Sequence, residues 1–326
     1  MKLFTKAVSD GGSENFGQIT VSSEPDGAEV YLDGINVGFT PYYFEYAIPG
    51  KHKVSVRKVG FYDAESTVNI RIGENSTIDE RMIKSCDIVR KPNRIDITTK
   101  NITFSMIKVE GGTFMMGGTA EQKNAKVDEQ PVHSVTLSDY YIGETEVTNE
   151  LWAAIMGSNP SNTSINAPEM PVNNVSWDDC QKFANRLATL TGLQFSLPTE
   201  AQWEYAARGG NHTRKYLFAG SNNGKDVGWF KGNSGNTLHE VKKKSPNELG
   251  LYDMSGNVYE WCLDWYAIYK KDATTDPQGP TSGTTRVNRG GCGGDKERQL
   301  RVSCRSSDAP SSKYNALGMR LVMVEQ

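Results

Sequence analysis

The sequence predicts two domains, a small all-β sandwich followed by an α+β domain, and three observations carry that prediction. At 326 residues the chain is long for one compact core. From Gly17 to Met82, apolar residues alternate with period two and turn residues interrupt them, with no helical period. Beyond residue 105 the pattern changes to short strands, amphipathic helical stretches and long runs rich in Gly and Asn.

In the first domain, Gln18–Ser22 alternates and Pro25-Asp26-Gly27 turns the chain. Ala28–Leu32 is a second strand, and Asp33-Gly34 after it is a strong hairpin signal. Lys51–Val59 and Ser66–Ile72 alternate again, which gives the short, evenly spaced strands of a sandwich over residues 17–82. Residues 83–104 are expected to be a linker, because Arg90-Lys91-Pro92-Asn93-Arg94 is polar and carries a proline.

The second domain, residues 105–326, opens with Met106–Gly117, a strand, a Gly111-Gly112 turn and another strand. Val135–Leu137 and Tyr140–Ile142 are expected to continue that sheet. Thr148 caps a helix whose apolar face holds Leu151, Trp152 and Ile155. A second helix starts at Ser176, with Asp178 and Asp179 favourable at its positive end. Cys180, Phe183, Ala184 and Leu187 form its buried face, and Gly192 stops it. Thr199 caps a third, short helix. The remaining long loops need something to hold them, which directs attention to metal sites.

Composition excludes several functions. No apolar run is long enough to span a bilayer, and a net charge of -3 offers no field for nucleic acid. Met1–Gly17 lacks the apolar core of a signal peptide, so the protein is cytoplasmic or its export signal lies outside this sequence. Cys86, Cys180, Cys262, Cys292 and Cys304 have no CxxC spacing and signal neither zinc nor a disulfide framework. His52, His133, His212 and His239 sit in unlike contexts and indicate no catalytic triad.

Ser23–Ala28, Val30–Gly34, Thr40-Pro41, Gly50–His52 and Gly60-Phe61 resemble a PEGA domain, with Asp26 where that motif carries Glu. Such domains usually sit on extracytoplasmic bacterial proteins as spacers, which implies a stalk at the cell surface. A second series runs in order through Gly111–Gly117, Asp128–His133, Glu146–Asn149, Pro171–Trp177, Leu197–Arg208, Gly250–Trp261, Arg289–Gly291 and Leu317–Val322. Together these resemble the formylglycine-generating (sulfatase-modifying factor) family, whose fold is a C-type-lectin-like α+β domain. The resemblance implies one structural calcium site, with Asp253 and Glu260 giving side chains and Gly256 and Val258 giving carbonyls. Trp229 and Phe230 stand where a second calcium site would begin, and neither suits calcium.

Enzymes of that family convert a sulfatase cysteine to formylglycine with oxygen, using two cysteines that bind Cu(I). Here Asp295 and Leu300 fall at those two positions, so copper is not expected. Cys292 and Cys304 remain as a displaced redox pair if the protein is an enzyme; otherwise they are buried thiols or a local disulfide.

The stretch 292–316 departs most from the family pattern, while Arg298, Arg301, Arg305, Pro310 and Gly318 keep it. Small and polar side chains beside an aromatic suit an adaptable binding surface. Its expected ligand-binding residues are Gly293, Gly294, Asp295, Lys296, Gln299, Cys304, Ser306, Ser307, Asp308, Ser311, Ser312, Tyr314 and Asn315. Family members with such a segment include ligand-binding variable proteins of diversity-generating retroelements. The expectation is therefore a non-catalytic recognition protein for a protein or glycan ligand. A formylglycine-generating oxidase and a cell-surface structural protein are the alternatives.

Overall fold

The computed structural model describes residues 15–161 and 167–324. Most of the Met1–Gly17 stretch searched for an export signal lies outside them, as do the last two residues. Contacts divide the chain into two compact units, the first centred on residues up to 86 and the second on the remainder, with residues 189–192 grouped with the first.

The first unit contains β1 (Gly17–Glu24), β2 (Glu29–Leu32), β3 (Ile35–Phe39), β4 (Tyr42–Ala47), β5 (Gly50–Arg57), β6 (Ala64–Ile70) and β7 (Asn75–Arg81). They form two sheets, ordered β4-β1-β7 and β3-β2-β5-β6. The alternation found in the sequence sends Ile19 and Val21 from one sheet, and Val30, Leu32, Val54 and Val56 from the other, into one core. Asp33 and Gly34 both take positive φ, 49° and 82°, as a tight β2–β3 hairpin turn requires.

The second unit begins with β8 (Cys86–Lys91), β9 (Arg94–Thr99) and β10 (Ile102–Val109). Residues 83–104 are therefore largely strand and not the exposed linker their polarity suggested. β8 is an edge strand, so polar side chains there meet water while the backbone remains paired. Next come β11 (Gly112–Met116), β12 (His133–Leu137), β13 (Tyr140–Gly143), α1 (Asn149–Met156), α2 (Trp177–Thr191), β14 (Phe195–Ser196) and α3 (Glu200–Ala207). α4 (Gly224–Val227), β15 (Gly228–Trp229), β16 (Ser255–Gly256), β17 (Tyr259–Trp265) and β18 (Thr274–Thr275) follow. β19 (Arg286–Arg289), β20 (Arg305–Asp308), β21 (Leu317–Gly318) and β22 (Val322–Met323) end the chain.

A six-stranded sheet, β14-β22-β13-β10-β9-β8, is accompanied by β11-β12-β18, β15-β16 and β20-β19-β17-β21. Gly111-Gly112 thus separates two sheets and does not close one hairpin. The cause is a close approach: a Cβ on Gly111 would lie 2.3 Å from the Leu137 carbonyl oxygen. Thr148 Oγ1 accepts the Leu151 amide to cap α1, and Thr199 with Gln202 forms a capping box on α3. Ser176 and Asp179 exchange hydrogen bonds, each of 3.2 Å, at the start of α2. The buried face of α2 stacks Phe183 on Trp152 of α1, ring centroids 4.9 Å apart.

Candidate functional site

The stretch after β19 is anchored by buried arginines. Arg289 Nη2 donates to Glu204 Oε2, and its Nε faces Glu200 Oε1 at 3.4 Å. Arg305 makes a two-pronged pair with Glu200 at 2.6 and 2.7 Å. Arg301 does the same with Glu129 at 2.5 and 2.7 Å. All six side chains are buried. Burial opposes the charge of Glu200, yet Arg305 and then Arg289 outweigh it and hold its carboxyl below the usual range. Such two-pronged pairs fix orientation as well as position. Gly318 is equally constrained, since a Cβ there would come within 2.4 Å of the Val172 carbonyl oxygen. Arg298 departs from expectation: its side chain is exposed and only its carbonyl is used, accepting from Arg301 Nε.

Between these anchors the chain displays side chains. Gly294, Lys296, Ser311 and Asn315 are exposed, and Asp295, Gln299, Ser306, Ser307, Asp308, Ser312 and Tyr314 are half-exposed. Gly293 and Cys304 are buried and so are not displayed. Gly293 is held by Ser234 and the Asn257 carbonyl.

The displayed groups form two small networks. Asp295 accepts from the Cys292 amide and Gln299 Nε2, and its charge bears on Tyr259. Asp308 Oδ2 accepts from Asn288 Nδ2 and the Tyr314 hydroxyl, each at 2.9 Å. Tyr314 links the two networks, because burial first, then Asp308, Cys292 and Asp295, raise its phenol. At the margin, Arg286 lies between the Trp177 and Trp265 rings, 3.9 and 3.6 Å from their centroids.

Tyr259, Thr285 and Asn288 belong to this face and were missed in the sequence. Thr285 donates to Ser307, and Asn288 pairs with Ser306 across β19 and β20. Tyr259 was legible in principle. It immediately precedes Glu260 in β17, so the pleat turns it to the opposite face from that buried glutamate.

The expected copper positions hold no thiol chemistry. Leu300 packs in an apolar cluster with Phe218, Val227 and Phe230, and Asp295 is spent as described. Cys292 and Cys304 are separate thiols, so the expected disulfide alternative is not formed. Burial, followed by the Asp295 charge, pushes Cys292 up to about 12. Burial also raises Cys304. Burial thus favours the neutral thiol at both positions.

The loop expected to hold calcium runs from Asp253 to Glu260. Asp253 Oδ2 accepts the Lys242 amide at 2.8 Å, while its Oδ1 is buried with no donor. Burial pushes the Asp253 carboxyl up to about 6, against the pull of Lys242 and Arg320. Gly256, at φ 91°, admits no side chain, since a Cβ would meet the Trp229 carbonyl oxygen at 2.1 Å. Glu260 differs from expectation: Arg320 and Trp203 Nε1 occupy both of its oxygens, with Arg320 Nη2 at 2.7 Å and Trp203 at 2.7 Å. Glu146, which opens the Glu146–Asn149 motif but was given no role at this loop, accepts from the Val258 amide and Asn257 Nδ2. Burial and then the charges of Asp253 and Glu260 raise its carboxyl far above the ordinary value. Among the described residues, no three His, Cys, Asp or Glu side chains converge as a metal cluster, so any cation here relies on carbonyl oxygens too. Trp229, at the second calcium position, stacks on His239 at 3.7 Å with Lys244 above it, and Phe230 is apolar core.

Known proteins match both units. Residues 16–85 match the PEGA domain, and residues 93–324 match the sulfatase-modifying factor enzyme 1-like domain. A formylglycine-generating enzyme of Streptomyces coelicolor is 31% identical, over 67% of this chain and 88% of that protein. A protein of Paenibacillus barcinonensis named chaperone protein LppX is 32% identical, over 60% of this chain and 81% of its own length. Among solved structures, Treponema denticola variable protein 1 superposes with a TM-score of 0.64 at 33% identity, covering 72% of this chain and 99% of that one. Among the described residues no helix is long and apolar enough to cross a membrane. A PEGA domain therefore precedes a C-type-lectin-like domain, and through that second domain the chain belongs to the sulfatase-modifying factor enzyme 1-like family.

Proposed function

We propose that this protein is a non-catalytic recognition module that presents residues 294–315 to a protein or glycan ligand at the cell surface. One observation carries the reading: where copper chemistry needs two thiolates, the chain has a hydrogen-bonded aspartate and a core leucine. The arginine anchors support it, because they hold the backbone while the side chains between them stay open to change. The likeness to the Treponema variable protein supports the same use of the scaffold, and the PEGA domain supports an extracytoplasmic place.

Calcium fits as a structural ion. Asp253 would hold it through the buried oxygen that lacks a donor, with the carbonyls of Gly256 and Val258 and whatever lone pairs of Glu260 its partners leave open. Its charge would offset the excess of carboxylates around Arg320.

A Cu(I) titration coupled to oxygen consumption on a cysteine-containing sulfatase peptide tests the central claim. Neither tight copper binding nor turnover is expected, and turnover would overturn the reading. For the diversified version, the encoding locus should contain a template repeat and a reverse transcriptase.

A further inference from the structure

A cavity of about 460 Å³ in the second unit has no part in the recognition face, although Arg305 borders both. Its walls are apolar and aromatic, with Met116, Trp265, Ile268, Tyr269, Pro277 and Pro280 among them. At its base lies Asp264, buried, with Oδ2 accepting the Glu200 amide at 2.7 Å. We propose that this cavity binds a small organic cation, an ammonium or guanidinium group on an apolar stem, with Asp264 as the counter-charge.

The charges around the base support a cation. Arg305 and Arg289 are already committed to Glu200 and Glu204, and Arg286, which also feels the Asp264 charge, is held between the Trp177 and Trp265 rings and donates to the Leu263 carbonyl. Among the described residues Asp264 has no ion pair. Burial, and then the charge of Glu200, push its carboxyl up to about 7, the state of a carboxylate that lacks a cation. An anion would meet Glu200, Asp264 and Asp272 against Lys270, since Arg305 is committed to Glu200. A neutral polyol could use Thr274, Thr275 and Gln278 but would leave the apolar walls and the Asp264 charge unmatched. Ile268, 78% exposed, leaves apolar surface in water at the cavity, and an apolar stem would cover it.

The cavity is also formed in advance. Asp276 accepts from both the amide and the hydroxyl of Ser138, and its own amide donates to the Thr136 carbonyl. β18 pairs with β12, and the Ala267 carbonyl accepts from Arg305. A loop tied at these points loses little freedom when a ligand enters. The charged or titratable groups around Asp264 are Glu200, Arg305, His133, Lys270 and Asp272 in the cavity wall, with Arg286 and Cys262 beside it.

Isothermal titration of the full chain at pH 8 with phenethylammonium, against its neutral isostere 2-phenylethanol, tests the proposal. Saturable binding of the ammonium about tenfold tighter than the alcohol is expected. Asp264→Asn should bring the two within about twofold. Ile268→Lys, at an exposed position that does not threaten folding, should weaken the ammonium about tenfold by charge repulsion. Equal affinity for ammonium and alcohol, no saturable ammonium binding to millimolar concentration, or an unchanged Ile268→Lys variant would overturn it.

Discussion

Two regions of the second unit bury carboxylates, and they neutralise them differently. Beneath residues 289–305, Glu129, Glu200 and Glu204 meet Arg301, Arg305 and Arg289. Around the 253–260 loop, Glu146, Asp253 and Glu260 share the charge of Arg320, which is paired to Glu260 alone. The first region closes its ion pairs within the chain, although Arg289 Nε makes no hydrogen bond. In the second, burial and mutual repulsion raise the carboxyls of Glu146 and Asp253, and one buried Asp253 oxygen has no donor. An ion pair that closes on itself is a structural anchor; buried carboxylates without one either take up protons or recruit a cation.

The largest effect should come from breaking the closed region. Arg301→Met leaves Glu129 buried without its partner and should cost about 3–5 kcal/mol in urea unfolding. Replacing both partners, Glu129→Leu with Arg301→Met, should recover much of that loss, because no uncompensated charge remains. Ser307→Ala and Asn315→Ala, displayed between the anchors, should each change stability by less than about 0.5 kcal/mol. If the displayed positions proved as costly as the anchors, the division between scaffold and display would fail.

The open region should respond to calcium. Calcium at about a hundred times its dissociation constant should stabilise the fold by about 2.7 kcal/mol. Chelation should remove that increment, and Asp253→Ala should abolish the response while leaving the Arg301–Glu129 pair intact. Thermal melts with and without chelator measure it. A calcium response unchanged in Asp253→Ala would move the ion away from this loop.

The two regions were unequally legible in the sequence. Helix caps, the Asp33-Gly34 hairpin and the sandwich alternation are local signals, and local hydrogen bonding realises them directly. The Asp253–Glu260 loop was singled out through the family resemblance, whose motif keeps these residues within a few positions of one another. Glu146 was not: it reaches Asn257 across 111 positions, and nothing near Glu146 in the sequence announces that neighbour. The polar text of residues 86–99 concealed strands because an edge strand needs only backbone pairing. Likewise Gly293 and Cys304 looked like display residues. Whether a small side chain faces water or core depends on the turn around Ser234 and the packing under Arg289, which spacing alone does not reveal.

Asp264 is a third case, a buried carboxylate that lies near arginines yet is paired with none, and pH separates it from the other two. Its folded pKa, about 7, lies above the ordinary value of 3.8. The folded state therefore binds a proton that the unfolded state has released. Stability from this group is fully present below the unfolded value and falls as pH rises through the folded one. Each pH unit within that window costs about 1.4 kcal/mol, so about 2 kcal/mol should be lost between pH 5 and 7. Asp264→Asn retains an oxygen to accept the Glu200 amide but carries no charge, so it should flatten this part of the profile and exceed the parent in stability at pH 8. Urea unfolding of both proteins at several pH values isolates the contribution, because every other titrating group is common to the pair. A parent profile no steeper than the variant's would mean that a cation of the protein already compensates Asp264. That result would place it with the arginine-anchored carboxylates instead of with Asp253.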